Sequence, residues 1–143
     1  MTALQEEAPA ARWSWTRNAK CVRLARSQLR KYLQHWKAEE LTDSGTLLLS
    51  ELLTNAVRHA RVSPGRRIET VFEVTEEMLR VEVSDASNDL PALRHPSDSD
   101  EEGRGLALVA MVATRWGTAP RMVNGQYAVG KTVWFEIDRK AEE

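Results

Sequence analysis

Hydrophobic residues recur in two helical patterns in the first 60 residues of the chain. In the first pattern they return at steps of three and four, while arginines and lysines occupy the opposite face. Its apolar members are Val22, Ala25, Leu29, Leu33 and Trp36. The second pattern begins near Leu41 or Asp43 and ends at about Ala60, where turn residues follow. Because this spacing is typical of amphipathic helices, we predict two sequential helices that pack as neighbours.

An alternating pattern follows the second helix. Two short runs place apolar or β-branched residues at every second position, with a short turn at about Thr75 to Glu77 between them. The alternating positions are Ile68, Thr70, Phe72 and Val74 in the first run, and Leu79, Val81 and Val83 in the second. This period of two predicts an antiparallel hairpin with one buried face.

The second half of the chain combines a polar segment with further predicted elements. Residues 86–105 are rich in Ser, Asp, Asn, Pro and Gly, so we predict a long loop, and such loops in compact domains are often functional lids. A helix over about Leu106 to Thr114 is expected next. Three strands are expected after it, near Arg115 to Ala119, Met122 to Tyr127 and Lys131 to Ile137.

This order of elements predicts an α+β fold. We expect a two-layer sandwich in which the helices cover one face of a mixed, mostly antiparallel sheet. A chain of 143 residues is in the size range of one domain. We therefore expect a flexible N-terminus over residues 1–14, one domain over residues 15–138 and a short C-terminal tail over residues 139–143.

The composition indicates a cytoplasmic globular protein. Hydrophobic residues make up 42% and charged residues 29% of the chain, and no apolar run approaches the roughly 20 residues of a membrane span. The N-terminus carries acidic residues where a signal peptide carries basic ones. The single cysteine, Cys21, has no partner for a disulfide within the chain. We expect no membrane association.

The charge is balanced in total but uneven along the chain. The net charge is −1, whereas the stretch from Arg12 to Lys37 carries only basic charges and includes three tryptophans. This stretch is either a solvated helix face with core aromatic residues or a surface that binds a nucleic acid or an acidic protein. The balanced total favours the first interpretation, so we expect no direct binding to nucleic acid.

Polar residues form a stripe on the second predicted helix. Glu51, Asn55, Arg58 and His59 follow one another at steps of four, three and one, which brings them to one side of a helix otherwise rich in leucine. Taken alone, the stripe is equally consistent with an ordinary solvent-facing side and with a binding site.

Asp85 is in phase with the inward positions of its strand. A carboxylate on the inward side is costly unless it has a dedicated partner. It either caps its own turn or accepts a hydrogen bond from a ligand, for example from the exocyclic amine of adenine.

Glycines precede the predicted helix in the second half of the chain. In the segment GRGLALV, Gly103 and Gly105 allow close approach of a ligand to the backbone, and the helix start suits phosphate oxygens. A plain flexible loop explains the same spacing equally well. The same two interpretations hold for Gly130, Lys131 and Thr132 before the last predicted strand.

The order of these features resembles a known family. From about Trp15 to Ile137, the chain is similar to the ATP-binding domain shared by gyrase, histidine kinases and mismatch-repair ATPases. Within that superfamily it most resembles the small anti-sigma-factor serine/threonine kinases and their actinobacterial relatives. The most specific segment is SELLTNAVRHA, which is similar to the N-box of the family, and GRGLALV, RWG and KTVWFEI are moderately specific.

The resemblance implies a role for each candidate residue. Glu51 would be the general base, and Asn55 would bind the Mg²⁺ that bridges the phosphates of ATP. Asp85 would accept a hydrogen bond from the adenine amine, with Thr132 near the same base. The remaining residues would lie at or near the phosphates, and they are Arg58, His59, Gly103, Arg104, Gly105 and Leu106.

The resemblance also implies a function. The chain would be an ATP-binding regulatory protein that phosphorylates a serine or threonine on an anti-sigma-factor antagonist and binds a sigma factor. A homodimer is compatible with the resemblance, although no sequence patch identifies an interface. One departure favours an alternative, because the family has glycines two and four residues after the aspartate, where this chain has Ser87 and Asp89. The alternative is a catalytically degenerate module that sequesters a sigma factor or another regulator without kinase turnover.

Overall fold

The fold consists of one antiparallel sheet with two long helices packed on it. The computed structural model describes residues 10–59, 67–85, 107–123 and 127–139. The helices are α1 (Ala19–His35) and α2 (Thr42–His59), with a 3₁₀ turn at Glu39–Leu41 between them. Residues 107–112 are also helical. The strands are β1 (Ala11–Thr16), β2 (Arg67–Val74), β3 (Met78–Asp85), β4 (Arg115–Val123) and β5 (Tyr127–Asp138).

The sheet has the strand order β1-β2-β3-β5-β4, and each of these neighbouring pairs is antiparallel. Every second residue of β2 and β3 is buried beneath the helices, as the alternating pattern predicts. The α+β class and the helix-covered sheet are therefore confirmed. The sheet is not mixed as predicted, because every neighbouring pair of described strands is antiparallel. Strand β5 lies between β3 and β4 and runs opposite to both.

Strand β1 lies partly in the segment that the sequence analysis assigned to a flexible N-terminus. It pairs with β2, so that Trp13 lies opposite Thr70 and Trp15 opposite Ile68. The Trp13 ring centroid is 5.4 Å from that of Phe72, and the indole nitrogen of Trp15 donates a 2.8 Å hydrogen bond to Thr70 Oγ1. These two tryptophans pack on the core, which is why the strand forms.

The first of the three strands expected near the C-terminus and the start of the second form one strand. Residues 115–119 and 122–123 belong to β4, which continues through Pro120 with a register shift between Arg121 and Met122. An edge strand tolerates proline because one side of its backbone has no ladder partner. Residues 130–132 lie within β5 rather than before it, since β5 begins at Tyr127.

Helix α1 has a defined stop. The backbone N–H of Ala38 donates to the carbonyl of Leu33 at 2.7 Å, and that of Lys37 donates to the carbonyl of Gln34 at 3.2 Å. Lys37 has a φ of 57°, in the left-handed region that usually carries glycine at this position. The chain therefore reverses sharply, and α2 returns antiparallel to α1.

The helices and strands define two ends of the domain. At one end, which we call the site end, Arg17 Nη1 donates to the carbonyl of Val57 on α2, and the neighbouring Thr16 pairs with Arg67. At the opposite end, the Tyr32 hydroxyl accepts a 3.0 Å hydrogen bond from the N–H of Val74. Helix α2 therefore runs towards the site end, in the same direction as β3.

The second face of the sheet, which neither long helix covers and which we call the open face, carries a charged network. Arg80 Nη1 is 2.8 Å from Glu136 Oε2, and Arg115 Nε is 2.6 Å from Glu136 Oε1. Arg115 also pairs with Asp138, while the Arg80 guanidinium lies 4.3 Å from the ring centroid of Trp134. This face thus satisfies its charges by pairing across strands. Within the described part of the chain, no helix is long and apolar enough to cross a membrane.

Candidate functional site

Asp85 is a buried carboxylate at the last position of β3. It is 2% exposed, and it lies on the same face as Val83 and Val81, beneath the helices. Its Oδ2 lies 3.6 Å from Nζ of Lys131. The predicted inward position of Asp85 is therefore confirmed, and a buried charge of opposite sign lies beside it.

Lys131 is a residue that the sequence analysis did not assign to the site. It is directly opposite Asp85 in the β3–β5 register and is 7% exposed. A signal for it was present in the sequence, because Lys131 is in phase with Val133, Phe135 and Ile137, all of which are buried. A lysine on such an inward phase is as unusual as an inward aspartate.

Thr132 lies on the opposite face of the sheet from Asp85. It pairs with Ser84 in the β3–β5 register, and the two hydroxyl oxygens are 2.7 Å apart. Because successive side chains of a strand point to opposite faces, the structure does not bring Thr132 to the carboxylate of Asp85. The inward position next to Asp85 is that of Lys131.

The polar stripe on α2 borders the buried face of that helix. Glu51 and Asn55 are half-buried, and Arg58 is exposed. Their neighbours Leu48, Leu52 and Ala56 are buried. His59 is the last residue of α2, and its side chain lies outside the described structure.

The C-terminal half of α2 and the end of β3 lie at the same end of the domain. A Cβ added at Gly45, near the start of α2, would be 3.0 Å from Leu79 Cδ2, near the start of β3. From that common level, Asn55 is about 15 Å along the helix. Asp85 is about 20 Å along the strand in the same direction. The site end therefore contains Asn55, Arg58, Asp85 and Lys131, and Glu51 lies one turn nearer the middle.

A comparison of the sequence with known protein families assigns the chain to one of them. Residues 14–135 match the family described as histidine kinase-like ATPase domain. The chain belongs to this family. The match begins within β1 and ends within β5, so it includes all or part of each of the five strands and both long helices. The search of curated proteins returned no match.

Membership of the histidine kinase-like ATPase domain family supports the ATP-binding character expected from the sequence. Four of the residues expected near the phosphates, Gly103, Arg104, Gly105 and Leu106, lie outside the described residues. Their roles, and those of the α2 stripe, remain predictions.

The donor set at the site end fits a metal ion that arrives with a nucleotide. Among the described residues, no group of three or more His, Cys, Asp or Glu side chains could hold a metal. Mg²⁺ is commonly held by one or two protein oxygens together with phosphates and water. In an ATPase domain, a single amide oxygen such as that of Asn55 is a suitable protein ligand for Mg²⁺ bound to phosphates.

Cys21 does not belong to the candidate chemistry. It is buried near the start of α1, and burial raises the pKa of its thiol, with a smaller opposing effect of the hydrogen bond to the Asn18 backbone. The thiol therefore stays protonated at neutral pH and is a weak nucleophile.

Proposed function

We propose that this protein is an ATP-binding regulator that phosphorylates a serine or threonine on a partner protein of the anti-sigma-factor-antagonist class. The observation that supports it is the buried carboxylate of Asp85 at the end of the domain to which α2 carries Asn55. A carboxylate there suits the amine of an adenine, and a half-buried amide suits the metal ion on its phosphates. A sigma factor is the proposed second partner, in the cytoplasm.

The proposed chemistry needs few protein groups. Mg²⁺, when bound with ATP, reduces the negative charge on the phosphates, and Asn55 would hold it. Glu51 would accept the proton of the incoming hydroxyl as its oxygen bonds to the γ-phosphorus. The bond from that phosphorus to the β–γ bridging oxygen breaks, and ADP leaves. Phosphoryl transfer depends mostly on positioning and charge stabilisation, so this set is sufficient.

The experiment that tests nucleotide binding is calorimetric titration of Mg-ATP into the unaltered protein and Asn55→Ala. We expect binding to the unaltered protein and a loss of at least tenfold in affinity for the variant, because the metal would lose its protein ligand. Gln34→Ala is the matched control, since Gln34 is an exposed amide at the opposite end of the domain. Absence of binding to the unaltered protein would refute the proposal.

Phosphate transfer is tested separately with Glu51→Ala. We expect this variant to keep its affinity for Mg-ATP and to lose transfer of radioactive γ-phosphate to proteins that co-purify with the chain. Glu39→Ala, which removes an exposed carboxylate outside the site, serves as its control and should transfer normally. Undiminished transfer by Glu51→Ala would exclude Glu51 as the base.

A second candidate function is a binding module without turnover. It is favoured by the lack of glycines two and four residues after Asp85, where the resemblance implies glycines. Capture of a sigma factor without phosphate transfer to any co-purified protein would support this candidate over the kinase.

A further inference from the structure

We propose that Lys131 contacts the base of the nucleotide alongside Asp85. Its ammonium donates a hydrogen bond to a ring nitrogen of adenine that neighbours the exocyclic amine, while the Asp85 carboxylate accepts from that amine. This inference rests on the proposed ATP binding and extends it, because it adds a residue that selects the base.

The two side chains form a matched pair of opposite charge in the interior. They lie directly opposite each other on β3 and β5, and their side chains are only 3% and 8% exposed for Asp85 and Lys131 respectively. Both face the helix-covered side of the sheet at the site end, where α2 also ends. A ligand that reaches the Asp85 carboxylate therefore meets the Lys131 ammonium as well.

The distance between the charges leaves the Lys131 donors without a hydrogen bond to Asp85. At 3.6 Å, Nζ and Oδ2 are in ion-pair range but beyond the 2.7–3.2 Å of an N–H···O hydrogen bond. Among the described residues, the Lys131 ammonium donates no hydrogen bond. The Lys131 side chain is 8% exposed, and its ammonium has three donors that a ligand acceptor can use. An acceptor on a ligand beside Asp85 would therefore receive a charge-assisted hydrogen bond from Lys131.

Adenine supplies this combination of groups. Its exocyclic amine is a donor, which suits a carboxylate that only accepts. The ring nitrogens N1 and N7, one on each side of that amine, are acceptors, which suit an ammonium that only donates. Adjacent hydrogen bonds along a base edge also bring the two protein groups within a few ångströms of each other.

A purely structural role explains the pair less well. Two buried charges lose much of their hydration, and a buried ion pair often stabilises a fold no more than apolar residues of similar volume. The equivalent inward positions further along the same strands are apolar, namely Val83 opposite Val133 and Val81 opposite Phe135. The polar pair is therefore confined to the end of the sheet where the candidate ligand would bind.

The test measures binding of ATP, 1-deaza-ATP and 7-deaza-ATP, each with Mg²⁺, to the unaltered protein and to Lys131→Met. Each deaza analogue replaces one ring nitrogen by carbon and keeps the amine. We expect the unaltered protein to bind one analogue at least tenfold more weakly than ATP, because a charged donor loses its acceptor. In Lys131→Met, ATP should weaken to the affinity of that analogue, and the difference between the two should vanish.

The controls separate this inference from the proposed function. Lys31→Met removes an exposed lysine near the end of α1 and should retain the preference for ATP. If ATP binds and both analogues bind equally well to the unaltered protein, the inference is overturned while ATP binding stands. If no nucleotide binds, both are overturned. If Lys131→Met fails to fold, Lys131→Gln replaces it in the same comparison.

Discussion

Glu136 lies between two arginines on the open face of the sheet. The hydrogen bond from Arg115 is the largest cause that holds the pKa of Glu136 below its ordinary value. Partial burial opposes it, and the hydrogen bond from Arg80 adds to the lowering. A carboxylate whose pKa is lowered by folding stabilises the protein above the pKa of an unfolded glutamate. That contribution is lost as the pH falls through the folded pKa.

Arg115→Met should therefore change the pH dependence of stability. We expect the variant to be less stable than the unaltered protein at pH 7, because the ionised Glu136 loses its main partner. We also expect a smaller loss of stability as the pH falls below about 4.5, since the pKa of Glu136 is then closer to that of an unfolded glutamate. Urea unfolding between pH 2.5 and pH 7 measures both effects.

Arg121→Met provides the comparison for this prediction. Arg121 pairs with Glu69 at 2.9 Å, but the Glu69 side chain is 52% exposed, whereas that of Glu136 is 13% exposed. Solvent weakens exposed pairs, so this variant should follow the unaltered protein closely across the pH range. If the two variants behave alike, Glu136 does not control the acid response.

The inward and outward positions of single residues were only partly predictable from the sequence. Alternation placed Asp85 on the buried face correctly, because it follows three apolar residues in phase. The same rule, applied to β5, puts Lys131 inward and Thr132 outward, but the resemblance directed attention to the threonine. Which inward residue faces Asp85 depends on the β3–β5 register, and no local pattern encodes a pairing between strands so distant in sequence.

At the scale of elements, the end of α1 depends on one residue in an unusual conformation. Lys37 adopts a left-handed φ of 57°, and the hydrogen bonds that close the helix require it. A side chain in this conformation costs roughly 1–2 kcal/mol. Glycine avoids that cost, although its greater freedom in the unfolded chain offsets about 0.5–1 kcal/mol.

Lys37→Gly should consequently stabilise the protein by about 0.5–1 kcal/mol. The matched control is Lys31→Gly, the same substitution at an exposed position inside α1, which should destabilise by about 1 kcal/mol. Thermal or urea unfolding distinguishes the two, since their effects have opposite signs. Destabilisation by both would mean that the Lys37 side chain has a stabilising role that outweighs the backbone cost.

Elements with a strong period were predicted well, and those with a weak one were not. Helices α1 and α2 and the β2–β3 hairpin follow directly from their apolar spacing. Strand β1 was missed because its inward residues, Ala11, Trp13 and Trp15, follow a polar N-terminal segment. Strand β4 was divided in two, since proline and the change of register interrupt its pattern although its pairing with β5 continues.

At the scale of the whole molecule, Arg139 joins the segments at the end opposite the site. Its side chain donates to Glu40 at 2.8 Å, to the Thr75 carbonyl at 3.1 Å and to the Lys37 carbonyl at 3.1 Å. Its backbone N–H donates to the Glu77 carbonyl at 2.8 Å. These hydrogen bonds hold three segments together, namely the link between the two helices, the turn of the β2–β3 hairpin and the end of β5.

Arg139→Ala should lower the free energy of unfolding by about 1–3 kcal/mol, since several hydrogen bonds from a charged group are lost. Affinity for Mg-ATP should stay unchanged, because the candidate site lies at the other end of the domain. Urea unfolding and calorimetry on the same sample test both statements, with Arg30→Ala, an exposed arginine on α1, as the control. A large loss of ATP affinity in the folded variant would contradict the separation of the two ends.

The position of Arg139 has a practical consequence for studying this protein on a solid support. Arg139 directly follows β5 and lies beside Glu77, on the far side of the domain from Asp85, Lys131 and the end of α2. Attachment to a biosensor chip at this end of the domain would orient the candidate nucleotide site towards solution. Attachment at Thr16, the last residue of β1, would hold the site end against the surface and obstruct the entry of ligands and partners.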